Sequence, residues 1–197
     1  MRHVIGVTGS VGIGSPIARY VESVGEHYAT LFPNAMFRAG NAPGVDQAFQ
    51  LGVNFVDPTR LTLCLPWPGF EPRSIVEPAD WTYDATSSVQ SAGNTVLDIK
   101  LHGEARHWQL AQDAAWGYWE RLGPAAQKLY CRNAMIVDGC TVLLAWPDVS
   151  KKGWGGTGHT MRCAEVLDIP VYLLEYSWWW DPKSGQPRGK RLWPRVR

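Results

Sequence analysis

The chain has 197 residues, enough for one sizeable core and an insertion, with an apolar content ordinary for a globular domain. A formal net charge of +1 sets up no global basic field, so nucleic-acid binding by the whole surface is not implied and a nucleic-acid partner is not favoured. No apolar run is long enough to cross a bilayer and no signal-peptide pattern occurs, so a soluble, cytoplasmic protein with no membrane partner is expected.

In chain order, "HVIGVTGS" reads as a buried strand ending in a Gly-rich turn. Ser15 followed by Pro16 reads as a helix start, and Ile17, Tyr20, Val21, Val24, Tyr28 and Leu31 continue at helical spacing. "AMFRAG" is a short second strand, "NAPGVDQAFQLGV" a turn and short helix, and "LTLCLPW" a third strand, apolar on both faces as a central parallel strand is. Residues Glu71 to Glu104 hold prolines, serines and acidic residues with weak periodicity, and read as an insertion or lid. "EARHWQLAQDAAWGYWERL" reads as one helix, with Trp108, Trp116 and Trp119 at roughly helical spacing and expected in the core. "GPAAQKLYCRNAMIVDG" is a second helix and "CTVLLAWP" a fourth strand. Four glycines within "GWGGTG" then open a helix, and "IPVYLLEY" is a fifth strand. Residues 1–177 form one expected domain, with 178–197 as a Trp-rich, basic tail. The run Trp178-Trp179-Trp180 cannot all face inward, so at least one packs on a partner, a ligand or the returning tail. Cys64, Cys131, Cys140 and Cys163 show neither metal nor disulfide spacing and read as buried thiols; no metal or cofactor is expected.

Strands alternating with helices predict an α/β protein, a doubly wound, mostly parallel sheet of about five strands flanked by helices. Ligands in such sheets bind at the carboxyl ends of the strands. Three loops rich in Gly and small polar residues fall on that rim, one each after the first, second and fourth strands. In the last, Gly155, Gly156 and Gly158 let the backbone approach a ligand, while Thr157 and Thr160 offer hydroxyls. Backbone N–H groups at such a helix start form an anion-binding concavity. Arg132, with Asn133 beside it, is placed to clamp a phosphate, or else makes a local salt bridge. The first two loops, through Thr8, Gly9, Ser10, Arg38, Gly40 and Asp46, are expected to hold sugar or base, although Asp46 is equally suited to capping its helix. The first loop has the wrong spacing for G-x-G-x-x-G, and the second strand ends in Arg38 rather than an acid, which disfavours an NAD site. A Walker A loop and a nucleophile elbow are absent.

"FRAGNAPGVDQAF", "LTLCLPWPGF", "RNAMIVDGCTVLLAWP" and "GGTGHTMRCAEVLDIPVYLL" together resemble the SLOG superfamily of Rossmann-like domains. That superfamily includes the Lonely Guy phosphoribohydrolases, DprA and the YspA-type proteins common in phages and bacterial conflict loci. The resemblance covers Val4 to Leu174 apart from the insertion. It implies a Rossmann-like fold, a phosphorylated nucleoside or nucleotide-derived ligand and a homodimer, with a phage-encoded origin as one possibility. In the Lonely Guy pattern P-G-G-x-G-T-x-x-E, Gly155, Gly156 and Gly158 match the glycines and Arg132 matches the upstream Arg. The chain departs from the pattern with His159 in place of Thr and Arg162 in place of the catalytic Glu. Glu165, Asp46 and His159 are then the acid–base candidates of an N-glycosidic hydrolase or transferase. The missing Glu tilts the expectation toward a binder that senses or sequesters its ligand. DprA-like binding of single-stranded DNA is a weaker alternative.

Overall fold

The structure, a computed structural model, describes residues 3–70, 93–148, 155–174 and 191–192. Its strands are β1 (Val4–Gly9), β2 (Met36–Ala39), β3 (Leu61–Leu65), β4 (Thr95–Asp98), β5 (Val142–Trp146) and β6 (Val171–Leu173). They form one parallel sheet in the order β4-β3-β2-β1-β5-β6. A two-residue β7 (Arg191–Leu192) adds antiparallel to the β6 edge. The helices are α1 (Ser15–Leu31), α2 (Val45–Val56), α3 (Ile99–His102), α4 (Ala105–Asp113), α5 (Pro124–Val137) and α6 (Gly156–Val166).

The apolar runs of the sequence become strands buried on both faces, because each face carries a helical layer. Val7, Phe37, Leu63 and Leu144 pack with α1 and α2 on one side. Cys64, Leu143, Ala145 and Val171 pack with α4, α5 and α6 on the other. The chain runs outward from β1 to β2, β3 and β4, then returns to β5 on the opposite side of β1. The switch point therefore lies between the ends of β1 and β5, where Gly9 pairs with Trp146. Such a crevice is where ligands bind in open α/β sheets.

Three features differ from the sequence expectation. A sixth parallel strand, β4, and the short α3 lie within the stretch read as an insertion. The segment read as one helix from Glu104 breaks after Asp113, since Trp116 and Gly117 take positive φ angles of 48° and 80°; a 3₁₀ turn follows at Trp119–Arg121. Trp108 and Trp119 stay against the core and meet edge to face, but Trp116 is 62% exposed. Residues 71–92, with Trp81 and Tyr83 of the expected lid, lie outside the described residues, as does the tail apart from Arg191 and Leu192. No described helix is long and apolar enough to cross a membrane.

Candidate functional site

The carboxyl ends of β1 and β5 meet the start of α2, the start of α6 and the middle of α5 around a cavity of about 130 Å³. Gly155 has φ +92° and ψ −166°, a region essentially restricted to glycine, and from there the chain enters α6. No side chain among the described residues caps this helix, and its first internal bond runs from the His159 N–H to the Gly155 carbonyl at 3.0 Å. The N–H groups of Gly156, Thr157 and Gly158 thus have no acceptor within the helix. With the positive end of the helix dipole, they favour an anion. Gly155, Gly156 and Thr157 line the cavity, as do Thr8, Gly9 and Ser10 from β1 and its loop.

Arg132 and Asn133 reach the same cavity from α5, and Asp46 from the first turn of α2. Arg132 is buried, 7% exposed, yet its Nη1 makes a single contact of 3.5 Å with Asp46 Oδ2, and its Nε has no partner. Asp46 Oδ2 also accepts the Ala42 N–H at 3.3 Å, while Oδ1 is unpartnered. Burial pushes the Asp46 carboxyl above the usual carboxylate range; Arg132 and the N–H groups of Ala42, Gly40 and Gly9 pull against that shift. Burial draws the Arg132 guanidinium down, opposed by Asp46. Gly40 makes room for the pair, since a Cβ there would lie 1.4 Å from Arg132 Nη1. Asn133 Nδ2 donates to the Gly156 carbonyl at 3.2 Å and so ties α5 to the start of α6.

No family model matches the chain, and no curated protein matches it. Among solved structures, it overlays on DNA processing protein A (DprA) from Helicobacter pylori, whose structure describes a single-stranded DNA binding mode, with a TM-score of 0.56. Identity is 14%, over 88% of this chain and 65% of that one. DprA from Streptococcus pneumoniae overlays with a TM-score of 0.57 at 16% identity, over 94% of this chain and 53% of that one. The chain has the Rossmann-like fold of DprA. The likeness is one of fold, and the chain spans 65% and 53% of the two DprA chains. The Moco carrier protein from Chlamydomonas reinhardtii overlays with a TM-score of 0.48 at 16% identity, over 88% of this chain and 76% of that one.

Within this DprA-like fold, the other sequence candidates stand away from the cavity lining. His159 is fully buried, with Nε2 2.9 Å from the Ala111 carbonyl. That contact assigns the proton to Nε2, leaving Nδ1 to face Asn133 Nδ2 at 3.4 Å and Cys163 Sγ at 3.6 Å. Its ring stacks on Tyr130 at 4.0 Å, and burial lowers its pKa to about 4. A neutral imidazole with both nitrogens engaged positions α6 against α4 and α5. Glu165 follows Gly156 by nine residues, which places it about 14 Å along the helix axis from the cavity. Arg38 Nη1 donates to the carbonyls of Met135, at 3.0 Å, and Asp138, so this side chain caps the end of α5 instead of meeting a ligand at the rim. Thr160 donates to the Gly156 carbonyl at 3.0 Å and receives the Thr8 hydroxyl at 3.3 Å, bracing α6 on β1. Gly158 is buried inside the first turn of α6. Arg162, in place of the motif's Glu, donates to the Ala114 carbonyl and to the Tyr118 hydroxyl, at 2.7 and 2.6 Å.

Three lining residues, Val11, Ala42 and Asp148, were not singled out from the sequence. The signal for Asp148 was its place two residues after β5, where the carboxyl end of a strand delivers side chains to the rim. Lys151, Lys152 and Gly153 of the third loop lie outside the described residues.

Proposed function

We propose that this protein binds a phosphorylated nucleoside or nucleotide-derived small molecule at the rim between β1 and β5, as a sensor or a sequestering protein. The observation that carries this reading is Arg132: a buried guanidinium with an unpartnered Nε, lining the same cavity as the uncapped start of α6. An Arg fork and a row of backbone N–H groups are two separate devices for holding phosphate oxygens. The cavity of about 130 Å³ would take the phosphate, with the rest of the ligand toward its mouth.

One observation favours a second reading, N-glycosidic hydrolysis. Of the three acid–base candidates, Asp46 lines the cavity, and burial raises its carboxyl as a general acid requires. Isothermal titration of the wild type, Arg132→Lys and Arg132→Ala with nucleoside 5′-monophosphates tests the site. The wild type binds, and Arg132→Ala weakens binding by about tenfold or more, the scale of one charge-assisted hydrogen bond. Unchanged affinity in folded Arg132→Ala removes the assignment. Release of base by the wild type and not by Asp46→Asn establishes the hydrolase. Binding of oligothymidylate in place of any mononucleotide moves the function to single-stranded DNA, the ligand of the H. pylori DprA structure.

A further inference from the structure

A second cavity, larger than the one at the rim, shares no lining residue with it. It measures about 420 Å³ and lies on the α4–α5 side of the sheet, between β2, β4, α3, the start of α4 and the end of α5. Leu97 of β4, Leu101 of α3 and Met135 of α5 give it an apolar wall. Arg38 of β2 and Asp138, the residue after α5, bring two opposite charges to it.

Most polar groups around this cavity already have partners. Glu104 takes Arg106 in a two-point ion pair, Nε to Oε2 at 3.1 Å and Nη2 to Oε1 at 3.2 Å. Asp138 Oδ2 accepts from Arg106 Nη2 and from His107 Nε2, each at 3.1 Å. His107 Nδ1 accepts the Glu104 N–H at 3.0 Å, which assigns the ring proton to Nε2 and leaves the imidazole neutral. Two groups stand apart from this network. Asp138 Oδ1 accepts no hydrogen bond from a described residue. Arg38 is half-buried, and its Nη1 serves the carbonyls of Met135 and Asp138 at the end of α5. Its Nε is buried without a partner, and its Nη2 makes no hydrogen bond to a described residue.

Arg38 thus reaches the Asp138 carbonyl, yet it forms no ion pair with the Asp138 carboxylate or with any other described acid. The end of α5 offsets only part of its charge, since a helix C-terminus carries about half an elementary charge. Adjoining opposite charges that do not pair, one with a buried unmatched donor, need an explanation. The chemistry of an occupant follows from what is left free. The guanidinium asks for an anion, Asp138 Oδ1 asks for a donor, and the wall asks for an apolar body. The charges of the cluster also cancel, Arg38 and Arg106 against Glu104 and Asp138, so a ligand with no net charge keeps the balance. An α-amino acid carries carboxylate and ammonium on one carbon and meets all of these demands together.

We propose that this cavity is a second binding site, for an α-amino acid with an apolar side chain. Its carboxylate pairs with Arg38, its ammonium with Asp138, and its side chain lies on Leu97, Leu101 and Met135. The assignment is independent of the ligand at the rim.

Titration of the full chain with L-leucine, L-methionine and L-phenylalanine tests it, read by calorimetry and by backbone amide shifts. At least one of the three binds saturably, shifting Leu101, His102 and Gly103 and leaving Gly156 and Thr157 in place. The analogues of that ligand lacking the amino group or the carboxyl group each bind about tenfold or more weakly, the scale of one charge-assisted hydrogen bond. Arg38→Gln and Asp138→Asn weaken binding to the same degree, and Arg132→Ala leaves it unchanged. No saturable binding of any of the three overturns the proposal, as do shifts confined to the rim or affinity lost in folded Arg132→Ala. Equal affinity for the analogue without its amino group overturns it too, because the cavity would then hold an anion alone. The analogues are measured on the wild type, so the test stands even where Arg38→Gln, deprived of its cap on α5, does not fold.

Discussion

Arg132 and Arg162 are buried to nearly the same degree, 7% and 6% exposed, and they stand on facing helices, yet they are held in opposite ways. Arg162 lies in the α4–α5–α6 layer. It gives Nε to the Ala114 carbonyl, Nη2 to the Tyr118 hydroxyl, and lays its guanidinium 4.8 Å from the centre of the Trp116 ring. Arg132 lies at the rim with one 3.5 Å carboxylate contact and an unpartnered Nε. Native structures rarely leave a buried donor unmatched, and an unmatched one needs an explanation. Burial therefore does not separate the two arginines, whereas hydrogen-bond satisfaction does. The same contrast separates two positions of α6: Gly156 and Thr157 line the cavity with N–H groups that have no acceptor within the helix, while His159 has both ring nitrogens engaged.

The largest effect expected from breaking this comparison is at Asp46. Asp46→Ala removes the carboxylate that faces Arg132 and leaves a buried charge without its counterion, which costs about 3–5 kcal/mol. Urea unfolding reads this directly. A loss under about 1 kcal/mol would mean that Arg132 is solvated at the rim and that its apparent dissatisfaction is not a stored cost.

The helix layer has its own signature in pH. Burial holds His159 near a pKa of about 4, against an unfolded value of about 6.5. Between these values the unfolded chain binds the proton and the folded chain does not. Stability is therefore fully present above about pH 6.5 and falls as pH drops toward 4, by about 3 kcal/mol in total. Asp46, with its carboxyl raised, acts in the opposite sense, so the quantity to measure is the difference between wild type and His159→Gln. Equal slopes of unfolding free energy against pH in the two proteins would show that His159 is not held neutral by the layer.

Much of this was legible in the sequence, for reasons that differ by residue. The buried strands announced themselves because "VIGV", "LTLCL" and "TVLLAW" are apolar on both faces, and the glycine loop because few other sequences open a helix that way. β4 was illegible: "TVLD" is four residues long, faces solvent at its first two positions, and follows a stretch of prolines, serines and acidic residues, so it has neither the run nor the alternation of a strand. Trp116 misled because helical spacing from Trp108 to Trp119 says nothing of a break, and Gly117 was the local hint that the chain turns there. Arg38 and His159 carried the right chemistry at expected places. Their acceptors, the end of α5 and the Ala111 carbonyl, are brought up by segments far along the chain, which no local pattern encodes. The rim residues Arg132, Asp46 and Gly156 were legible as candidates, since each belongs to a loop or helix tied to the end of a recognisable strand.

Gly40 sharpens the comparison at the smallest cost in stability. A Cβ there would meet Arg132 Nη1 at 1.4 Å, Arg132 Cζ at 2.5 Å and Asp46 Oδ2 at 2.9 Å. The clash is with the tip of a long side chain, which swings away more cheaply than backbone moves. Displacing it also loosens the buried Arg132–Asp46 pair while leaving the counterion nearby, so Gly40→Ala is expected to lose about 2 kcal/mol, within the range for overpacking a buried site and less than Asp46→Ala. Its effect on the rim is disproportionate, because the displaced guanidinium no longer lies where Asp46 and the start of α6 converge. A nucleoside-monophosphate titration of this variant should reproduce the weakened binding of Arg132→Ala in a protein that still unfolds cooperatively. Retained affinity would show that phosphate recognition belongs to the N–H groups of α6 alone, with Arg132 kept for packing against Asp46. A large drop in stability with retained affinity would make Gly40 a structural glycine whose nearness to Arg132 has no part in binding.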